Sequence, residues 1–343
     1  MGWTVVEGGL SIVKVLIAGG AGYIGSTIAS ACLDAGVTPV IVDNLATGRR
    51  EFTRDRIFYE GGIENGDLID RVFQEHPEIN AVVLCAALIN VPESVSDPVG
   101  YYRDNVSNSL SLVSHLIRHG CTRLVFSSSA AVYRTGDTLE VDENAVMDPL
   151  SPYARTKVVC EWMFEDVANA SPLGVLSLRY FNPIGADPDL RTGLQLPRPS
   201  HALGKMITAM EEGVPFEITG TDYPTRDGTG VRDYIHVWDL AAAHLLALEK
   251  FDEILSSNRR HEVINLGTGR GTTVRELVDA FNAVVDTPLT VVEAPRRPGD
   301  SAGAYASRAK AERLLGWTAS RSVTDGIRDS LRWAALRSDL LGR

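Results

Sequence analysis

Val13-Lys-Val-Leu-Ile-Ala-Gly-Gly-Ala-Gly-Tyr-Ile-Gly25 decides the fold. The apolar run over 13–17 has the continuous character of a strand buried on both faces, as in a parallel sheet. A glycine-rich turn follows, with Gly19, Gly22 and Gly25 in a G-x-x-G-x-x-G spacing. The pattern then predicts a helix from about Ser26 to Asp34, ended by Gly36. A second strand over 38–42 leads to an acid, Asp43. Glycines let the backbone approach a pyrophosphate, and a helix N-terminus stabilises its charge. Asp43 can accept hydrogen bonds from an adenosine ribose and would repel a 2′-phosphate, which favours NAD over NADP. Strand, glycines, helix and acid in this order read as a dinucleotide-binding unit.

Outward from this unit, strands and helices alternate to about residue 180, the pattern of a doubly wound parallel sheet. Expected strands are 13–17, 38–42, 57–60, 81–85, 123–127 and 174–179. Leu190–Ser200, rich in proline and arginine, reads as a loop entering a smaller lobe. The chain of 343 residues can bury one large core or two coupled ones. Its net charge of −11 argues against a nucleic-acid partner, while local arginines can still bind phosphate. No apolar run approaches transmembrane length, and no signal peptide is evident at the start. The four cysteines at 32, 85, 121 and 160 form no C-x-x-C pair and read as reduced thiols of a cytoplasmic protein. His115 and His119 are four apart on an expected helix. No carboxylate or cysteine near them in sequence completes a metal set, so no metal is expected.

Two further segments carry chemistry. In Ser151-Pro-Tyr-Ala-Arg-Thr-Lys157, Ser151 can cap a helix and Pro152 suits its first turn. Tyr153 and Lys157 then share one face. An ordinary tyrosine, with a pKa of about 10, is a poor base at neutral pH. A nearby ammonium favours the phenolate, and an oxidised nicotinamide adds a second positive charge. Such a pair can take a proton from a hydroxyl as hydride leaves its carbon. Arg123-Leu-Val-Phe-Ser-Ser-Ser129 reads as a strand ending in hydroxyls, where ligands of open α/β sheets sit. Ser129 is therefore placed to meet a substrate hydroxyl beside Tyr153.

With these motifs the chain resembles the extended short-chain dehydrogenase/reductases, and within them the UDP-hexose 4-epimerase branch. The resemblance runs from near Val13 to about Trp317. It rests also on Asp43-Asn-Leu, Tyr101-Tyr-Arg-Asp-Asn105-Val, Leu178-Arg-Tyr-Phe-Asn182-Pro-Ile-Gly-Ala186, and the long Asp222–His236 segment. Asn265-Leu-Gly-Thr-Gly269 and Ala294-Pro-Arg-Arg-Pro-Gly-Asp300 complete it. The resemblance implies a Rossmann-type NAD-binding domain over 12–182, with 232–250 returning to it, and a mainly substrate-binding lobe over 183–343. It implies reversible oxidation of a UDP-hexose at carbon 4, with Tyr153 as base, Lys157 holding the nicotinamide ribose, and Ser129 binding the 4-oxygen. It assigns Gly19, Gly22, Tyr23, Ile24, Gly25, Asp43, Asn44, Ile63, Asn105, Tyr153, Lys157 and Tyr180 to the cofactor. Asn182, Arg232, Arg297, Asp300 and Ala304, with Ser129 and Tyr153, fall to the substrate. Helices near 104–119 and 153–169 would form a four-helix seam of a homodimer.

Several positions depart from the family pattern. Ile89 replaces a lysine and Gly62 an aspartate, both losses near the cofactor. Arg134 replaces a glycine, His201 an asparagine, and Thr219 an aromatic residue. Ala304 stands at a position that is bulky in glucose-restricted members, so it leaves space for an N-acetyl group. Ala130-Ala131 occupy the place of the Asp-Glu pair used by sugar-nucleotide dehydratases. Besides a net oxidoreductase that releases its cofactor, two alternatives stay open. One is a 4-epimerase of another nucleotide sugar such as UDP-glucuronate, for which Arg134 offers a cation. The other is a non-catalytic dinucleotide-sensing protein, which typically loses the tyrosine or lysine.

Overall fold

The computed structural model describes residues 12–134, 138–296 and 301–342. Seven parallel strands form the central sheet. From edge to edge they are His261–Leu266, Gly174–Tyr180, Arg123–Ser129, Ala81–Leu84, Lys14–Ala18, Thr38–Asp43 and Ile57–Glu60. The first strand and its neighbours show why the apolar runs are continuous. Val15 and Ile17 enter one core layer, packed by the helix Val237–Glu249. Leu16 and Ala18 enter the other, under the helices Gly66–Glu75, Asn108–Arg118 and Pro152–Ala170. Alternate residues thus bury on opposite faces, and neither face meets water.

The strand order reverses between Lys14–Ala18 and Ala81–Leu84, so a crevice opens there at the carboxyl ends. The Ala18 carbonyl accepts from the N–H groups of both Cys85 and Ala86, at 2.8 and 2.9 Å, which closes the base of that crevice. Beyond it lie smaller sheets. Asn182–Ile184 pairs in parallel with Tyr234–His236. Val231–Arg232 pairs with Thr272–Thr273 and with Gly303–Ala306, which also pairs with Glu140–Val141. Among the described residues, no helix is long and apolar enough to cross a membrane.

The sheet departs from the sequence expectations in instructive places. The first helix runs Tyr23–Asp34, three residues earlier than expected. The glycine turn feeds directly into helical geometry, and no capping side chain marks the start, because Gly22 has none. The strand expected over 123–127 extends to Ser129, paired with Tyr180 through Ser129↔Tyr180. The helix expected over 104–119 has a π turn over Arg103–Ser107 and regular α geometry only from Asn108 to Arg118. The edge strand His261–Leu266 was not anticipated; it is placed by pairing along Gly174–Tyr180. Asp70 gives the paired histidines a shared partner. This carboxylate, on a neighbouring helix, bonds both rings, His115 Nδ1 at 2.6 Å and His119 Nε2 at 2.7 Å. Arg118 takes its other oxygen, and no group able to hold a metal ion occurs among the described residues.

Candidate active site

The glycine turn is built by close backbone contacts. Gly19 has φ +83, and a Cβ there would lie 2.5 Å from the Ala86 nitrogen. A Cβ at Gly25 would lie 2.3 Å from the Gly19 oxygen. Both glycines are therefore demanded by the protein's own packing. Gly22 is different. A Cβ there would meet only the Gly19 oxygen, at 3.5 Å, so the protein leaves that space open. The first-turn N–H groups of Tyr23 and Ile24 have no intrahelical acceptor, and no acidic side chain lies in that turn. An anion of pyrophosphate shape fits this cradle. The Tyr23 side chain points elsewhere: its hydroxyl donates to the Gly185 carbonyl at 2.7 Å and ties the turn to the smaller lobe.

Asp43 ends its strand beside this turn. Its two oxygens accept from the Ala21 and Leu45 N–H groups, at 3.0 and 2.8 Å. Burial raises its pKa and these backbone bonds oppose the rise. Each oxygen keeps a lone pair for a ribose hydroxyl. Asn44 is exposed and accepts from Ala46, while Ile63 is buried close by in sequence to the third strand. Ile89 is two-thirds exposed, so the departure at that position leaves no cation there.

The catalytic candidates converge at the ends of the adjoining strands. Ser151 caps the helix Pro152–Ala170 through Ala154 N–H at 3.2 Å, as its sequence predicts. That cap sets the rotation of the helix that presents Tyr153 and Lys157. The Lys157 ammonium is buried and donates to the Ser127 carbonyl at 2.9 Å. It sits 5.9 Å from the Tyr153 ring centre. Ser129, close to the Tyr153 hydroxyl, favours the phenolate, but burial raises the pKa of that hydroxyl overall. Burial lowers that of Lys157. The expected lowering of Tyr153 by Lys157 is not found in the protein alone: burial raises the hydroxyl and only Ser129 opposes the rise. A positive ring beside Tyr153 would supply the missing stabilisation.

Other assigned residues take distinct places. Asn105 sits on the π turn, and its amide is used within the protein. It accepts from Leu88 N–H at 2.8 Å and donates to Leu88 O and Thr156 Oγ1, both at 3.0 Å. It thereby ties the loop after Ala81–Leu84 to the Tyr153 helix. Burial holds the Tyr180 hydroxyl well above the ordinary range. Asn182 and Tyr234 face each other across their strand pair, as do Arg232 and Ala304. Arg232 is half-buried and donates to the Val231 carbonyl at 2.7 Å, with no carboxylate partner among the described residues. A guanidinium so placed suits a phosphate. Ala304 packs against Val132, Tyr133 and Val141, on the wall that follows Ser129. Arg134 is exposed and paired with Asp148 at 3.2 Å. His201 caps the helix Ala202–Glu212 through Gly204 N–H at 3.1 Å. Arg297 and Asp300 lie outside the described residues.

Four residues at the site escaped the sequence reading. Ser127 is the hub behind Lys157: its hydroxyl lies 3.2 Å from Cys85 Sγ and 3.4 Å from His244 Nε2. His244 Nδ1 lies 2.8 Å from the Leu240 carbonyl, so Nδ1 carries the proton and Nε2 accepts. Glu161 and Arg179 form a buried ion pair beyond Lys157. Glu161 falls one helical turn after Lys157 and Arg179 lies inside the quoted Leu178-Arg-Tyr motif, but nothing local signals that they meet.

Comparison with known proteins agrees with this geometry. The model of the NAD dependent epimerase/dehydratase family matches residues 15–267. A UDP-glucose 4-epimerase of Azospirillum brasilense is 42% identical over 323 residues, covering 93% of this chain and 91% of that protein. The crystal structure of a UDP-glucose 4-epimerase from Stenotrophomonas maltophila, with bound NAD and formylated UDP-arabinopyranose, superposes with a TM-score of 0.89. It shares 38% identity, over 95% of this chain and 99% of that one. The Brucella ovis UDP-glucose 4-epimerase in complex with NAD gives a TM-score of 0.87 at 37% identity, over 94% and 98%. With that match over most of its length, the chain belongs to the NAD dependent epimerase/dehydratase family.

Proposed function

We propose that the chain is an NAD-dependent 4-epimerase of a UDP-hexose, an isomerase that interconverts UDP-galactose and UDP-glucose. The observation that carries this reading is the meeting of Ser129, Tyr153 and Lys157 at the switch point, beside the open cradle at Gly22. Bound NAD supplies a hydride acceptor and donor for carbon 4. The protein supplies the rest. The Tyr153 hydroxyl, as phenolate, takes the proton of the sugar 4-hydroxyl and later returns it. Ser129 holds the 4-oxygen and shares the proton with Tyr153. Lys157, fixed by the Ser127 carbonyl, keeps its remaining donors for the nicotinamide ribose. Gly19, Gly22, Gly25, Tyr23 and Ile24 seat the pyrophosphate through their backbone, and Asp43, Asn44 and Ile63 the adenosine. Tyr180 would line the cofactor site, while Asn105 ties the Leu88 loop to the Tyr153 helix. Asn182, Arg232 and Arg297 would hold the nucleotide diphosphate, and Asp300 the uridine ribose.

Ala130 and Ala131 offer no acid or base beyond Ser129, so oxidation is followed by reduction and not by elimination. The Ala304 side chain leaves room at the sugar 2-position for an N-acetyl group. The pairing of Arg134 with Asp148 at the surface gives no support to a uronate site. The same reading divides the chain into an NAD-binding body, 12–182 with 232–250, and a mainly substrate-binding lobe over 183–343. A separate core around Leu203, Phe216, Leu277 and Phe281 supports the lobe. We also infer a cytoplasmic homodimer. Leu110 and Trp162, on the two seam helices, are about half exposed, at 47% and 56%, and a second copy would cover them.

The test is anaerobic incubation of purified protein with UDP-galactose, without and with added NAD, resolving nucleotide sugars by chromatography. UDP-glucose with no net NADH is the expected result. A folded, NAD-loaded protein that makes no UDP-glucose would reject this substrate, and the N-acetyl and uronate sugars would then be compared.

A further inference from the structure

Tyr153, Lys157 and Ser129 account for the chemistry but not for the charges behind them. Glu161 and Arg179 side chains are each only 4% exposed. Arg179 grips the carboxylate twice, Nε to Oε1 at 2.9 Å and Nη2 to Oε2 at 2.5 Å. Apolar side chains of similar volume often serve stability as well as such a pair, or better. Stability alone therefore gives little reason for it. Its outer contacts do. Glu161 Oε1 also accepts from the Ser128 hydroxyl. Arg179 Nη1 donates to the Tyr133 hydroxyl at 2.9 Å, which donates to Asn265 Oδ1 at 2.6 Å. Asn265 is anchored in turn by Glu143 and the Val141 carbonyl.

Ser128 and Tyr133 bracket Ser129 in the chain. The ion pair thus holds the segment on both sides of the Ser129 hydroxyl. Glu161 also lies one turn after Lys157 on the same helix and favours its ammonium form. Because Arg179 and Ser128 occupy the carboxylate, Lys157 stays on the Ser127 carbonyl.

We propose that Glu161 and Arg179 are positioning residues: the buried pair clamps residues 128–133 and so sets the position of Ser129 beside Tyr153 and the placement of Lys157. This rests on the reading of Tyr153 as the proton-transfer group. A small displacement of Ser129 would be felt, since a misplacement of about 1 Å in a reacting constellation can cost roughly 100-fold in rate.

The experiment uses the full chain with NAD. Glu161→Leu/Arg179→Met removes both charges together, and Ser128→Ala/Tyr133→Phe removes only the outer contacts. Four quantities are read: kcat and KM for UDP-galactose, the thermal midpoint, and the Tyr153 ionisation midpoint by ultraviolet difference against Tyr153→Phe. Both variants are expected to keep their fold and KM. Their kcat is expected to fall on the order of 100-fold. The Tyr153 midpoint should move up by about one pH unit, a tenfold change in ionisation constant. Unchanged kcat and Tyr153 midpoint in a folded Glu161→Leu/Arg179→Met variant would overturn the proposal. Should that variant not fold, the same null result in Ser128→Ala/Tyr133→Phe overturns it. If the unaltered protein does not turn over UDP-galactose, the substrate reading fails, while the Tyr153 titration still decides whether the pair positions Ser129.

Discussion

Replacing Gly22 by alanine separates what the fold needs from what the cofactor needs. The backbone there, at φ −82 and ψ 173, suits any L residue. The new Cβ would meet only one protein atom, at 3.5 Å. Restricting the unfolded chain stabilises by about 0.4–1 kcal/mol, and losing glycine for alanine at an N-cap costs a similar amount. The protein without NAD should therefore unfold at an unchanged temperature. On the proposed reading, however, the methyl group would stand where the pyrophosphate approaches, and NAD affinity should fall at least about 100-fold, or about 2.7 kcal/mol. At NAD 100 times its dissociation constant, the unaltered protein gains about 2.7 kcal/mol. Unfolding entropy of about 2.1 cal/mol/K per residue over 343 residues converts that to roughly 4 °C. In Gly22→Ala at the same NAD concentration the shift should be under about 1 °C. Gly25→Ala is the contrast. Its Cβ would press on the Gly19 oxygen at 2.3 Å and the Gly20 Cα at 2.9 Å. Overpacking of backbone should lower its midpoint even without NAD, by about 1–3 kcal/mol of stability. Differential scanning fluorimetry with and without NAD reads all four cases. A full NAD-induced shift in Gly22→Ala would refute the cradle argument.

Three more expectations follow from particular contacts. Tyr153→Phe should lower kcat by about 10²–10⁴-fold, the range of a lost general acid–base group, with NAD affinity and thermal midpoint retained; steady-state kinetics that show substantial activity would remove Tyr153 from its role. Burial lowers the His201 pKa to about 4 from an ordinary 6.5. The unfolded chain therefore binds the proton first as pH falls, so this stability is present above about 6.5 and lost toward 4. His201→Asn keeps a helix-capping acceptor, and chemical denaturation from pH 7 to 4 should show a shallower loss than in the unaltered protein. Finally, Leu110→Asp/Trp162→Asp should leave a folded monomer by light scattering; a mass unchanged from that of the unaltered protein would reject the seam.

The sequence by itself determined everything that depends on neighbours along the chain. The glycine turn, Asp43 at a strand end, the Ser151 cap and the Tyr153–Lys157 face are each set within a few residues, because turn sterics, caps and helical period act over that range. Strand boundaries came within two residues for the same reason, since burial on both faces writes a continuous apolar run. Tertiary structure alone decided the partners. Asp70 reaches His115 and His119 from another helix, and Asn105 spends its amide on Leu88 and Thr156. The edge strand His261–Leu266 is chosen by the strand beside it. Glu161, Arg179, Tyr133 and Asn265 come together because three strand ends and a helix converge there. Hydrogen-bonding capacity is legible in a side chain's chemistry, but which capacity is already used depends on strand order and helix placement, and no local pattern carries that information.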